Sequence, residues 1–352
     1  MITSTSVAGA REALERVRRG RLEPQEYLRE VSTVVSRVVP NDMSGWMTLD
    51  PDTLLSSGTL EARKSPELDR ALWRNELLQA GDVHKLADLA QRPSPVTTLG
   101  ELDSETAANS PRVQLILRPA GIGTGLRVML RTGGSTWGHA GIYRELGARD
   151  FDLDEQAFLA GTADDIADGL RRAMSRRPKP GAATLTPGVV GFDAQGRLVS
   201  ATAEASQLMT LMPGDATSTL YAVAASAGLR DRASARVRLI DGRWLLLHGG
   251  RMHGAVNDSS EVTVSLTPAG QGDLASVLLR LHALSARQRE VAELLMSGSR
   301  TEEIAAQLYI SPHTLRDHIK AIFAKLGVEG RPELMALVTD YVSPDRSTRL
   351  AG

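Results

Sequence analysis

Arg316 and Lys320 fall four residues apart in the stretch 311–326, with His313 and Asp317 beside them. At about 100° per residue these four share one side of a helix. Leu315, Ile319, Ile322, Phe323 and Leu326 form an apolar stripe on the opposite side, and Thr314, His318 and Lys325 lie on a flank. Such a face can read nucleic-acid bases. Arginine and lysine donate to guanine O6 and N7, a carboxylate accepts from a cytosine amine, and the flank can touch phosphate. Asp317 either accepts from a cytosine amine or pairs with Lys320, three residues on, and the intrahelical pair is the favoured of the two. The plain alternative is a solvated charged face on a small helical bundle. Two of the five lysines in the chain lie on this one segment, which elsewhere prefers arginine.

The neighbouring residues supply the elements that would hold this face. Ser285 and Gln288 make a capping box for a first helix, in which Val291, Leu294 and Leu295 share a face and Gly298 ends the run. A second helix turns Ile304 and Leu308 inward. Ser311 caps the third, with Pro312 at its first position, where a missing N–H costs nothing. Gly327 closes it. A fourth follows from Arg331, with Leu334, Met335, Leu337, Val338, Tyr341 and Val342.

The order of these signals resembles the LuxR/GerE-type helix-turn-helix family. The resemblance covers roughly sixty residues and rests on Leu284-Ser285, Arg287, Glu290-Val291, Gly298, Glu303-Ile304-Ala305, Leu308, Ile310-Ser311, Thr314-Leu315-Arg316, His318, Ile322 and Lys325-Leu326-Gly327-Val328. It implies a four-helix DNA-binding domain over 274–345, with 311–326 as the recognition helix. It also implies that the last helix makes the dimer contact, through Leu334, Val338 and Tyr341. Arg316, Lys320 and Asp317, with His313, become the base-reading group, and Thr314, His318, Lys325 and Arg287 the phosphate contacts. Two positions depart from the family. Arg300 stands where serine usually caps the second helix, so Ser299 or Thr301 is expected to cap instead. Ala321 stands where asparagine is frequent.

The charge balance sets how strongly such a unit would bind. The chain carries a net charge of −1. Between 280 and 341 eight basic side chains meet eight acidic ones, so non-specific attraction to double-stranded DNA should be weak. Useful affinity should require a homodimer reading two half-sites.

This unit is less than a fifth of the 352 residues, and the rest has room for two further domains. A Pro-, Gly- and Thr-rich stretch at 176–187 and a shorter one at 267–273 divide the chain into 1–176, 188–267 and 274–345. In the first part, 11–19 and 24–38 have helical spacing. Leu126, Val128 and Leu130 alternate with Arg127, Met129 and Arg131, as in a strand with one face in water. Gly133-Gly134 turns the chain into a second strand over 137–144, and 154–174 returns to helix. This part is similar to GAF-type sensor domains, on Thr48-Leu49-Asp50-Pro51, Trp137-Gly138 and the closing helix. In the middle part, strands at 189–193 and 197–200 precede a helix with Ala205, Leu208, Met209 and Met212. Asp241-Gly242 joins two further strands in a hairpin, and Val262, Val264 and Leu266 mark a last one. Its order of elements resembles a PAS-like domain. The expected fold is therefore multidomain: two α+β sensor-like domains followed by an all-α four-helix helix-turn-helix domain. A small-molecule or protein effector at the sensor domains is the implied control, and residues 274–281, read as a helix, are its lever.

Other chemistry is not written in the chain. Absence of cysteine removes disulfides and thiolate metal sites. The histidines show no metal spacing, and His139 reads as a packed or surface residue. Gly121 to Gly125 lacks the rest of a phosphate-loop pattern and reads as a flexible loop. Asp150, Asp152, Asp154 and Glu155 read as the start of a helix, where acids suit the positive dipole end. No catalytic constellation, cofactor or membrane segment is expected, and with no signal-peptide run the chain is expected in the cytoplasm. The rival expectation is a protein-interaction module that keeps the helix-turn-helix shape without binding DNA.

Overall fold

The computed structural model describes residues 4–61, 66–178, 184–252 and 261–342. Lys64, Lys179, His253 and the terminal stretch 343–352, which reads as a solvated tail, lie outside them. Two helices come first, α1 (Ser4–Arg19) and α2 (Pro24–Val38). The amphipathic α2 buries Tyr27, Leu28, Val31, Val34, Val35 and Val38, the apolar set its spacing predicts.

The first sheet is built from β1 (Met43–Leu49), β2 (Ser56–Glu61), β3 (Val96–Thr98), β4 (Ile122–Thr132) and β5 (Ser135–Glu145). Helices α3 (Pro66–Leu78), α4 (Leu86–Gln91) and α5 (Ser104–Asn109) lie between β2 and β4 in sequence, with a π-type turn at Arg112–Leu117. Helices α6 (Leu153–Ala160) and α7 (Ala163–Met174) follow. The helix expected over 154–174 is thus two. Thr162 leaves helical geometry at φ −120° and its hydroxyl donates to Phe158 O at 2.8 Å. The acidic run does start a helix, since Asp152 and Glu155 cap it reciprocally.

Two expectations about this sheet are corrected. Gly121 to Gly125 is no flexible loop, because β4 begins at Ile122; a Cβ at Gly123 would lie 2.7 Å from Glu145 O, so glycine is needed for β5 to approach. Nor does β4 have a face in water. Leu126, Val128 and Leu130 pack toward α1, α2 and α7, but Arg127 and Met129 are also buried, on the side that α3 and α4 cover.

The second sheet comprises β6 (Gly188–Phe192), β7 (Leu198–Ala201), β8 (Arg232–Arg238), β9 (Trp244–Met252) and β10 (Glu261–Pro268). Helices α8 (Ala203–Leu211) and α9 (Ala216–Arg230) cover one face. The sheets are antiparallel, ordered β2-β1-β5-β4-β3 and β7-β6-β10-β9-β8, which is one and the same order counted within each domain. The topology repeats where no sequence repeat is legible.

Helix α10 (Gln271–Leu281) follows β10 after two residues, so the linker expected over 267–273 is mostly strand end and helix start. It leads into α11 (Ala286–Met296), α12 (Thr301–Gln307), α13 (Pro312–Leu326) and α14 (Arg331–Val342). One apolar cluster runs from α1, α2, α7 and the first sheet through α10 into these last four helices. A polar network ties the same parts. Arg236 on β8 forks onto Asp50 with two bonds of 2.9 Å and also reaches Asp52, Ser276 Oγ and Asp273 O. Asp52 in turn takes Ser276 Oγ at 2.9 Å and Arg280 Nη2 at 2.8 Å. Burial raises the Asp52 carboxyl, but the bonds and charge of Arg236, with Arg280 and Ser276, outweigh it and hold it below the ordinary carboxylate value.

Candidate nucleic-acid interface

Local hydrogen bonds set the ends of the helices that carry the site. Ser285 accepts from Gln288 N at 3.3 Å while Gln288 reaches back to Ser285 N at 3.0 Å. Ser311 accepts from Thr314 N at 3.0 Å, Pro312 takes the first turn, and Gly327 closes α13 at φ +64°. The cap of α12 differs from expectation. Arg300 itself holds the N-cap position, and Glu303 accepts from its backbone N–H at 2.9 Å; neither Ser299 nor Thr301 serves, because the carboxylate supplies the needed acceptor.

Within α13, Leu315, Ile322 and Leu326 are buried and Ile319 and Phe323 half-buried against α11 and α12. His313, Thr314, Arg316, Asp317 and Lys320 are exposed and His318 is half-buried. Arg316 makes one long 3.4 Å bond back to Pro312 O. Lys320 has no ion pair among the described residues. Asp317 does not pair with Lys320 as expected; its Oδ2 lies 3.3 Å from His313 Nδ1, one turn earlier, with both side chains mostly in water. The outer face therefore offers a guanidinium and an ammonium free to leave their present positions at small cost.

Two expected phosphate contacts are already engaged. Lys325 Nζ donates to Ala283 O at 3.0 Å and to Gln288 Oε1 at 2.9 Å, joining α13 to the start of α11. Arg287 pairs with Glu290 at 2.7 Å and bonds Leu308 O. The residues expected at a dimer contact are used internally as well. Leu334, Val338 and Tyr341 are each at most 2 % exposed, packed against α10 and α11, and Tyr341 donates to Ser175 O. Gln271 to Thr339 at 2.8 Å and Arg177 to Asp340 at 3.3 Å add to the hold on α14. In this arrangement the apolar side of α14 faces its own chain. The sequence reading also passed over Tyr309, 96 % exposed at φ +54° in the turn between α12 and α13. A bulky aromatic in a turn that favours glycine or asparagine was the available signal.

Residues 282–338 match the family model described as bacterial regulatory proteins, luxR family. The spore germination protein GerE of Bacillus subtilis (strain 168) is 50% identical over 50 residues, which is 14% of this chain and 68% of that protein. The probable transcriptional regulatory protein NarL of Mycobacterium tuberculosis is 27% identical over 206 residues, 55% of this chain and 88% of that one. Among solved structures, Escherichia coli SdiA aligns over 95% of this chain and 97% of its own at 12% identity and a TM-score of 0.38, too loose a superposition to define the upstream domains. With the four terminal helices, their caps and this identity in place, the chain belongs to the luxR family of bacterial regulatory proteins.

Proposed function

We propose that the chain is a dimeric, sequence-specific DNA-binding transcription regulator of the cytoplasm. Each protomer would insert α13 in a major groove under control of the two upstream domains, read as a GAF-like sensor at 1–176 and a PAS-like one at 188–267. The observation that carries this is the division of α13: Leu315, Ile322 and Leu326 buried, with Arg316 and Lys320 exposed on the other side. Arg316 and Lys320 would read base edges, with Asp317 and His313 beside them. Thr314 and His318 would meet phosphate. Lys325 and Arg287 would do so with the donors their internal bonds leave over.

Pairing through Leu334, Val338 and Tyr341 would require α14 to leave its own chain. Control then has a physical form: any ligand that favours the undocked arrangement over the docked one raises the population able to pair. The shared strand order of the two sheets supports reading both upstream domains as versions of one sensor scaffold.

Selection of bound fragments from random duplex DNA tests the proposal. A two-fold symmetric consensus, bound with affinity that falls steeply with salt, is expected. Enrichment of no sequence, or retention of binding at high salt, would leave only a protein-interaction role.

A further inference from the structure

We propose that the first domain binds a small organic carboxylate in the cavity between its sheet and α3, with the carboxylate held by Arg112 and His139. The register of the sheet makes the floor. Gly45 on β1 lies opposite Gly141 on β5, which lies opposite Arg127 on β4. Of the two glycines in this row, Gly141 lies under the Tyr143 side chain and Gly45 faces open space. A Cβ added at Gly45 meets no heavy atom within 4 Å. The Tyr143 ring folds over the neighbouring glycines, since a Cβ at Gly125 or Gly141 would come within 2.9 Å or 2.5 Å of it. Met43, Met47, Leu72 and Trp73 supply apolar walls. The cavity is about 70 Å³, on the order of five water-sized sites, so it suits a ligand of roughly ten non-hydrogen atoms or fewer.

The polar lining is unbalanced. Arg112, Arg127 and His139 are 3 %, 6 % and 3 % exposed. The carboxylate of Glu76, whose side chain is 9 % exposed, lies 3.7 Å from Arg112 and 3.5 Å from Arg127, and Asp69, also on the lining, is half-buried. Arg127 Nε donates to His139 Nε2 at 2.8 Å, which fixes the imidazole proton on Nδ1. Among the described residues, that Nδ1 and Arg112 Nη1 are both buried without a hydrogen-bond partner. Two orphaned donors, beside two buried guanidiniums that share the carboxylate of Glu76, carry a desolvation cost. Burial, with Arg112 beside it, pushes the Arg127 pKa down to about 10. Waters would satisfy the donors but not the charge. A carboxylate satisfies both, and its body displaces water from the methionines and aromatic rings.

β1 continues directly from this floor into Asp50 and Asp52, which hold Arg236, Ser276 and Arg280. A ligand seated against Met43, Gly45 and Met47 is thus one strand away from the clamp on α10. This deepens the sensor reading of the first domain and rests on it, whereas the DNA reading of α13 does not depend on it.

Titration calorimetry of the full chain with benzoate and with benzamide, in the absence of DNA, tests the site. Benzoate should bind once per chain, and benzamide about ten-fold or more weakly, for loss of the charged acceptor. Gly45→Leu, which fills the cavity, should abolish binding, while Gly45→Ala should keep both the fold and most of the affinity. Arg112→Gln should weaken benzoate by about ten- to a hundred-fold and leave benzamide unchanged. Equal binding of acid and amide, undiminished binding in both Gly45→Leu and Arg112→Gln, or failure of acetate, isobutyrate, phenylacetate and benzoate all to bind at millimolar concentration would overturn the proposal. Binding that leaves operator affinity unaltered would uphold the site and remove its role in control.

Discussion

The Arg236 clamp gives a prediction in which stability and DNA affinity change in opposite senses. Arg236 is 12 % exposed and its partner Asp50 1 %. In Arg236→Met the Asp50 carboxylate keeps two donors, the backbone N–H groups of Asp52 at 2.9 Å and of residue 236 at 2.8 Å, but loses the guanidinium. Breaking a buried pair costs about 3–5 kcal/mol, and the two retained amides place this case near about 3 kcal/mol. That corresponds to roughly a hundred-fold change in the equilibrium between docked and separated domains. Hydrogen exchange should show α10 amides losing protection by up to that factor, and the melting temperature should fall. If α14 must leave its own chain to pair, operator affinity should rise in the same variant. A double-mutant cycle with Asp50→Asn isolates the pair, and a coupling under about 0.5 kcal/mol would show that the two residues are not the clamp. Lower affinity accompanying the lower melting temperature would refute the docking argument, since an undocked chain would then be a worse DNA reader, not a better one.

Other outcomes follow from the same geometry. Arg316→Ala should relax base preference at a cost of about 1–3 kcal/mol on the best site, measured across operator variants; a uniform loss on all sequences would make it a phosphate contact. Lys325→Met should lower the melting temperature and also reduce the salt slope of binding by roughly 0.9 per protomer, as for a lost phosphate contact; an unchanged slope would leave Lys325 a purely internal tie. Tyr341→Phe removes the bond to Ser175 O, worth about 1 kcal/mol, and should speed exchange of α14 amides and raise operator affinity without unfolding the chain; unchanged exchange would place the hold on α14 elsewhere. Burial, with Arg127 and Arg112 beside it, holds the His139 pKa well below its ordinary 6.5, and burial with Arg127 pushes His84 down to about 4. The unfolded chain therefore takes up protons near pH 6.5 that the folded chain refuses. Stability is complete above that pH and is lost as pH falls toward the folded values, by about 1.4 kcal/mol for His139 over the first unit, and urea unfolding near pH 7.5 and pH 5.5 would reveal a flat profile if this is wrong.

Residues close in sequence made much of the fold legible. The Ser285–Gln288 box, the Ser311 cap and the Gly327 stop act over four residues or fewer, and the structure has each of them. The Asp241-Gly242 turn likewise joins β8 to β9. Elements without a local signature were missed. α9 is rich in Ala, Ser and Thr and buried almost all round, so no apolar stripe marks it. The first half of β1 and the α3 cover escaped notice as well, and with them the burial of Arg127 and His139. An alternating pattern says which residues share a face, but not whether that face meets water.

The sequence by itself determined the helix-turn-helix unit, because periodicity and caps are properties of neighbouring residues. Tertiary structure alone decided which polar groups are spent: Lys325 on Ala283 and Gln288, Tyr341 on Ser175, and Asp50 on an arginine 186 residues away. It also decided that the apolar side of α14 lies on its own chain and that Gly45 opens onto a cavity lined by orphaned donors. Those outcomes depend on desolvation, which is set by whatever distant segment covers a residue and leaves no trace in local spacing.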